Sequence, residues 1–242
     1  MSRKRKPMPL LEDIEIVDVA AEGNALARVD DMVVFVPFGA PGDRVDIQIK
    51  KKKKRYAEGQ IARMVKAGDL RIDARCEHFT ICGGCRWQHL PYEYQLKCKR
   101  QQVVDALTRI AKIELPEIAP CLGSENIWEY RNKMEYTFSN KCWLTYEQLA
   151  SGEEFPDRDA AGFHIPGAFD KVLDIKRCHL QDDLSNRIRL FVKQYCKDKG
   201  LPFYDLREQH GFIRTMMVRI ASTDEVMVVV VVGEDRPEDL KA

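Results

Sequence analysis

The sequence predicts a mixed fold in three parts. An all-β barrel of OB type occupies residues 1–66, a cysteine-bearing segment with a helix behind it 67–112, and an α+β domain 113–242. Three observations carry this. Short stretches of period-two alternation recur at regular spacing up to about residue 66. Three of the eight cysteines then fall within ten residues. Beyond them, strand-like and helix-like stretches follow one another in an order that suits an α+β domain.

The barrel is read from about five strands between residues 12 and 66. Val45, Ile47 and Ile49 alternate with Asp46, Gln48 and Lys50, the pattern of a strand with one buried face. Val33-Val34-Phe35-Val36 forms another, ended by the proline- and glycine-rich turn from Pro37 to Asp43. After the cysteines, Pro91 opens a helix at the position where its missing N–H costs nothing. Tyr92, Leu96, Val103, Leu107 and Ile110 share one face of it, out to about Lys112. In the last part, Met134, Tyr136 and Phe138 alternate with Glu135, Thr137 and Ser139, and the polar face extends back to Lys133 and Arg131. Leu180, Leu184, Ile188, Phe191 and Tyr195 mark an amphipathic helix. Strands over about 212–220 and 225–232 close the chain as a hairpin, the second with the length of one buried strand.

At 242 residues, 32% charged and 45% hydrophobic, the chain has the composition of a soluble globular protein. No apolar run approaches a membrane span, and the basic start Met1–Lys6 has no apolar stretch behind it, so it reads as a frayed tail rather than a secretory signal. The net charge of +1 hides a polarity. Residues 1–112 hold 22 Lys and Arg against 15 Asp and Glu, a net of +7; residues 113–242 hold 17 against 23, a net of −6. An anionic partner therefore meets the front half first. A cytoplasmic monomer is expected, with its thiols reduced rather than paired in disulfides.

Cys76, Cys82 and Cys85 are spaced C-x5-C-x2-C, with Gly83-Gly84 between the last two. Three thiolates at that spacing can converge on one soft metal centre. The glycine pair lets the backbone fold tightly and aim N–H groups at sulfur. The fourth ligand would come from Cys98, Cys121, Cys142, Cys178 or Cys196. Structural zinc more often uses two C-x2-C knuckles, whereas iron–sulfur clusters often gather three local cysteines and one remote one; spacing alone leaves both open.

Lys50, Lys51, Lys52, Lys53, Lys54 and Arg55 are six consecutive cations with Tyr56 behind them. Such a run is often only a solvated hairpin tip. On an OB-type barrel, loops of this kind clamp a nucleic-acid backbone. Arg131 and Lys133, on one strand face, can reach a shared backbone stretch.

The segment Cys-x5-Cys-Gly-Gly-Cys-Arg-Trp-Gln-His from Cys76 to His89, followed by Pro-Tyr-x-x-Gln from Pro91, resembles the [4Fe–4S] signature of bacterial uracil-C5 RNA methyltransferases, the type that modifies 23S ribosomal RNA. Asp174-Ile175-Lys176-Arg177-Cys178-His179-Leu180 is similar to the context of that family's fourth ligand, which implies Cys178 beside Cys76, Cys82 and Cys85. A thiolate quartet would leave His78 and His89 outside the ligand set. The stretch from Gly23 to Arg28 and on through Val36-Pro37 to Pro41-Gly42-Asp43 resembles a TRAM domain, an OB-like barrel that delivers RNA to modification enzymes. Tyr130-Arg131-Asn132-Lys133 and Gly162-Phe163-His164 resemble motifs of the family's central, RNA-facing domain, so Phe163 and His164 join the candidate RNA contacts.

The resemblance implies structured RNA as partner, 23S ribosomal RNA first, and S-adenosylmethionine as methyl donor. The family's donor and catalytic cysteine belong to a Rossmann-like module, and this sequence has no G-x-G. The expectation is accordingly an RNA- and cluster-binding portion whose catalytic module lies beyond residue 242, with no catalytic residue in the chain. The alternatives are a stand-alone RNA-binding iron–sulfur or zinc protein, or a uracil-C5 methyltransferase directed at tRNA.

Overall fold

The computed structural model describes residues 8–20, 23–236, 238 and 239. The basic start Met1–Lys6 lies outside them, as do Pro237 and residues 240–242. Two compact units result. One runs to Thr80 and includes Cys85–Glu125; the other comprises Ile81–Gly84 and the chain from Asn126 on.

Five strands build the first unit: β1 (Leu10–Val19), β2 (Asn24–Val29), β3 (Met32–Pro37), β4 (Arg44–Lys52) and β5 (Tyr56–Lys66). They form a closed barrel in the order β1-β2-β3-β5-β4, antiparallel throughout except where β3 meets β5. The expected alternation is realised: Val45, Ile47 and Ile49 point inward with Ile16, Ala25, Ala27, Val34, Val36 and Ala57. Gly59 is required where β5 crosses β4, because a Cβ there would stand 2.4 Å from Ile47 Cγ2.

The turn after β3 does more than reverse the chain. Asp43 is fully buried and accepts from the Ala40 N–H at 2.7 Å, the Gly68 N–H at 2.9 Å and Arg71 Nη2 at 2.6 Å. Arg71 Nη2 also donates to the Phe38 carbonyl at 2.7 Å. His89, likewise buried, places Nε2 2.9 Å from the Gly39 carbonyl, which requires the N–H on that nitrogen. Burial pulls its pKa down.

Helix α1 (Tyr92–Asp105) follows Pro91 and runs into a π-helical turn at Ala106–Ile110. Its expected apolar face is not buried: Cys98 is the buried residue of α1, while Val103 is 50% and Ile110 83% exposed. The described residues near its start pack there instead, with Gly123 against Tyr92 and Leu96.

The second unit is a five-stranded antiparallel sheet in the order β10-β9-β6-β7-β8. Its strands are β6 (Lys133–Ser139), β7 (Ala160–Ile165), β8 (Ala168–Asp174), β9 (Ile213–Ile220) and β10 (Val226–Val232). A short helix α2 (Tyr146–Ala150) starts at a Thr145–Gln148 capping box. Helix α3 (Asp183–Asp198) is capped by the Asp182 side chain and packs on β6, β7 and β9. It buries the stripe expected of it only in part: Leu180, just ahead of the helix, is buried and Leu184, Ile188 and Tyr195 are half-buried, but Phe191 is 71% exposed, and Ser185, Asn186, Arg189 and Cys196 face inward. Nor is β10 a buried strand. It lies at the sheet edge, with Val226–Val231 between 38% and 45% exposed.

Candidate nucleic-acid interface and cysteine segment

The cysteine segment is a series of turns rather than a helix or strand. Cys76 donates its N–H to Gln88 Oε1 at 3.1 Å and accepts from the Phe79 N–H at 3.0 Å through its carbonyl. The Gly84 N–H points at Cys82 Sγ, 3.4 Å away, the contact expected of the glycine pair. Burial raises the pKa of the Cys76 thiol, and the proximity of Cys85 adds to the rise. Cys76, Cys82 and Cys85 are half-buried and Cys178 is buried, and none of the four is in a disulfide.

Cys178 sits in a polar cradle made by α3. Asn186 accepts from the Cys178 N–H at 2.8 Å and donates to its carbonyl at 3.0 Å. Arg189, with no exposed surface, donates to the carbonyls of Ala161 at 2.9 Å and Lys176 at 3.0 Å and lies over the Tyr136 ring. The Tyr136 hydroxyl meets Ser185 Oγ at 3.0 Å.

Cys76 and Cys85 belong to the first unit, Cys82 and Cys178 to the second. Among the described residues no group of three or more His, Cys, Asp or Glu is close enough to hold a metal ion. The donor set, four thiols, suits a thiolate-bound centre in chemistry. The other cysteines are packing residues or surface thiols: Cys98 and Cys196 are buried, and burial pushes the Cys196 thiol up to about 11.

The lysine run forms the end of the β4–β5 hairpin, with Lys50 to Arg55 all exposed. It is not uniform. Lys51 is held by Glu58 at 3.1 Å, and Tyr56 turns back to pack edge-on against Phe35.

In the second unit, α3 covers one face of the sheet, where Met134, Tyr136, Phe138, Met216 and Val218 are buried. The other face carries Lys133, Glu135 and Thr137 from β6. Register places Arg219 opposite Lys133, Met217 opposite Glu135 and Thr215 opposite Thr137. His164 joins this face through a 3.1 Å contact between Nε2 and Thr137 Oγ1. Phe163 does not: it stacks on Tyr136 at 5.3 Å between ring centroids, on the helix side. Arg131 is exposed but precedes the strand, where its N–H donates to the Leu180 carbonyl. Sequence reasoning thus missed Arg219, Asn186 and Arg189. Only a period-two reading of 213–220 could have singled out Arg219, and nothing local would have set it opposite Lys133.

A family model for the TRAM domain matches residues 12–62. A curated RNA methyltransferase of Porphyromonas gingivalis is 54% identical over 227 residues, covering 92% of this chain and 49% of the relative. One of Bacteroides thetaiotaomicron is 50% identical over 224 residues with the same coverages. The solved tRNA (uracil-54, C5)-methyltransferase of Pyrococcus abyssi, in complex with S-adenosyl-L-homocysteine, aligns over 94% of this chain and 48% of its own, with a TM-score of 0.62 at 25% identity. The chain spans about half the length of the curated relatives it matches.

These findings correct the expected function, a portion acting on 23S ribosomal RNA with its catalysis placed beyond residue 242. Similarity to RNA methyltransferases runs through 92% of the chain, and the solved neighbour aligned over 94% of it is titled for tRNA. This chain carries a TRAM domain at residues 12–62 and has RNA methyltransferases as its homologues over nine-tenths of its length.

Proposed function

We propose that this protein serves S-adenosylmethionine-dependent methylation of uracil C5 in RNA, with tRNA as the substrate class. The observation that carries the reading is the alignment of 94% of the chain with a tRNA uracil-C5 methyltransferase solved with the demethylated donor. The TRAM barrel and the methyltransferase homologues support an RNA partner. Within the chain, the exposed cations of the β4–β5 hairpin and of the open sheet face supply the contacts, from Lys50, Lys52, Lys53, Lys54, Arg55, Arg131 and Lys133, with His164 beside them. Phe163 acts from behind, by fixing the β7 backbone that presents His164. No two glycines stand two apart anywhere in the sequence, so no residue is assigned to the adenosyl group.

Cys76, Cys82, Cys85 and Cys178 are the proposed ligands of a [4Fe–4S] cluster. The support is the C-x5-C-x2-C spacing and the Gly84 N–H aimed at Cys82 sulfur. Such a cluster, when bound, would supply a structural or electron-storing centre; no step of methyl transfer is routed through it. No helix among the described residues is long and apolar enough to cross a membrane.

The test is nucleoside mass spectrometry of purified tRNA and ribosomal RNA after incubation with the protein and labelled S-adenosylmethionine. Label in 5-methyluridine of tRNA is the expected result. Label confined to ribosomal RNA would overturn the tRNA assignment, and label in neither the methylation reading as a whole.

A further inference from the structure

We propose that Lys133 and Arg219 jointly hold one backbone phosphate of the bound RNA, and that the strand then runs along the open face of the sheet towards His164. This site presupposes the RNA-binding reading above; it adds a residue, Arg219, a ligand group and a path.

The two residues are direct cross-strand partners on β6 and β9, both are exposed, and both project from the face that α3 leaves uncovered. Like charges directly opposite one another on adjacent strands destabilise a sheet. Here the repulsion is not relieved from within the chain: among the described residues, no carboxylate lies within ion-pair distance of either. Glu135 is next along β6, but it stands opposite Met217 and bonds to neither cation. An anion between the pair removes the conflict. A phosphodiester suits both partners, since a guanidinium fork and an ammonium can each donate to a separate non-bridging oxygen.

The polar groups on this face then define a direction. From Lys133 to Thr137 is four residues, roughly 13 Å at about 3.3 Å per residue, enough for a short run of nucleotides. At that end Thr137 Oγ1 and His164 Nε2 are already in contact, and Thr215 lies opposite. A hydroxyl and an imidazole are suited to a 2′-OH or a base edge, whereas the cation pair is suited to phosphate. The reverse face offers no such path, because Tyr136, Phe138 and α3 close it.

The test is an anisotropy titration of the whole chain with a labelled, uridine-rich single-stranded oligonucleotide over a series of salt concentrations. Each phosphate neutralised on single-stranded nucleic acid contributes about −0.7 to the log–log slope. K133A/R219A is expected to flatten the slope by about 0.7 and to weaken binding about five-fold at 0.1 M salt, with either single variant doing most of this. A loss of about 1.4 would mean two separate phosphates and would overturn the shared site. Unchanged affinity and slope in the double variant would also overturn it, while leaving the RNA reading intact. A parent chain that binds no RNA at all would sink both. Both side chains are exposed and removing them removes their mutual repulsion, so the variant should melt no lower than the parent; K133Q/R219Q, polar but without charge, must give the same slope.

Discussion

Asp43 is held by two backbone N–H groups and the Arg71 guanidinium at the turn that follows β3. Burial alone would push its carboxyl up. The Arg71 hydrogen bond and the Gly68 and Ala40 amides outweigh that and keep it below its ordinary value. A depressed folded pKa means stability that is present above the unfolded value near 3.9 and is lost as pH falls through the folded one. Asp43→Asn should therefore destabilise the barrel at pH 7, and the gap from the parent in urea melts should shrink towards pH 3. Asp43→Ala should cost on the order of 3 kcal/mol, because it leaves Arg71 without its partner. A gap that is constant with pH would count against this account. Gly59 makes a simpler case: Gly59→Ala drives a methyl against Ile47 and the Gln48 carbonyl and should lower stability by about 1–3 kcal/mol. The proline–glycine turn was legible in the sequence as a turn. That its last residue is a buried acid tied to Arg71, 28 positions on, was not, because only the closed barrel brings them together.

Among the elements, strands were easier to read than helices. Alternation of Val45, Ile47 and Ile49 records burial directly, since a strand's two faces meet different media. Helix α3 could be located but its inward face could not. It rests on backbone carbonyls and a tyrosine hydroxyl, so the residues turned inward are Ser185, Asn186 and Arg189, chosen for hydrogen bonding rather than for apolar surface. Asn186→Ala should cost about 1–3 kcal/mol by stranding the buried N–H and carbonyl of Cys178, as a shift of the chemical-denaturation midpoint at unchanged m-value would reveal. The β4–β5 hairpin shows the same limit on the functional side. Six cations looked equivalent, yet Lys51 already has Glu58. Lys53→Ala should flatten the salt dependence of RNA binding more than Lys51→Ala does; equal effects of the two single variants would make the ion pair irrelevant.

For the molecule as a whole, the barrel and a second β-rich part with helices were both visible beforehand in composition and periodicity. The proposed RNA face was half visible: Lys133 and His164 could be named, but their sharing one face with Arg219 depends on pairing strands some 80 residues apart. The cluster proposal makes a claim at this scale too. Anaerobically purified protein should be brown, and each of Cys76→Ala, Cys82→Ala, Cys85→Ala and Cys178→Ala should bleach it; a colourless preparation holding one equivalent of zinc would refute the iron–sulfur assignment. Strand β10 has a different consequence, for how the protein behaves in a tube. Among the described residues no strand lies beyond it, and six consecutive apolar side chains are about 40% exposed, without a charge or a proline within the run; the one irregularity in its pairing falls at the end, between Val231 and Val232. Concentrated stocks should therefore turn turbid through strand-on-strand growth. A single Val229→Lys gatekeeper should keep them clear in light scattering, at little cost to the melting temperature.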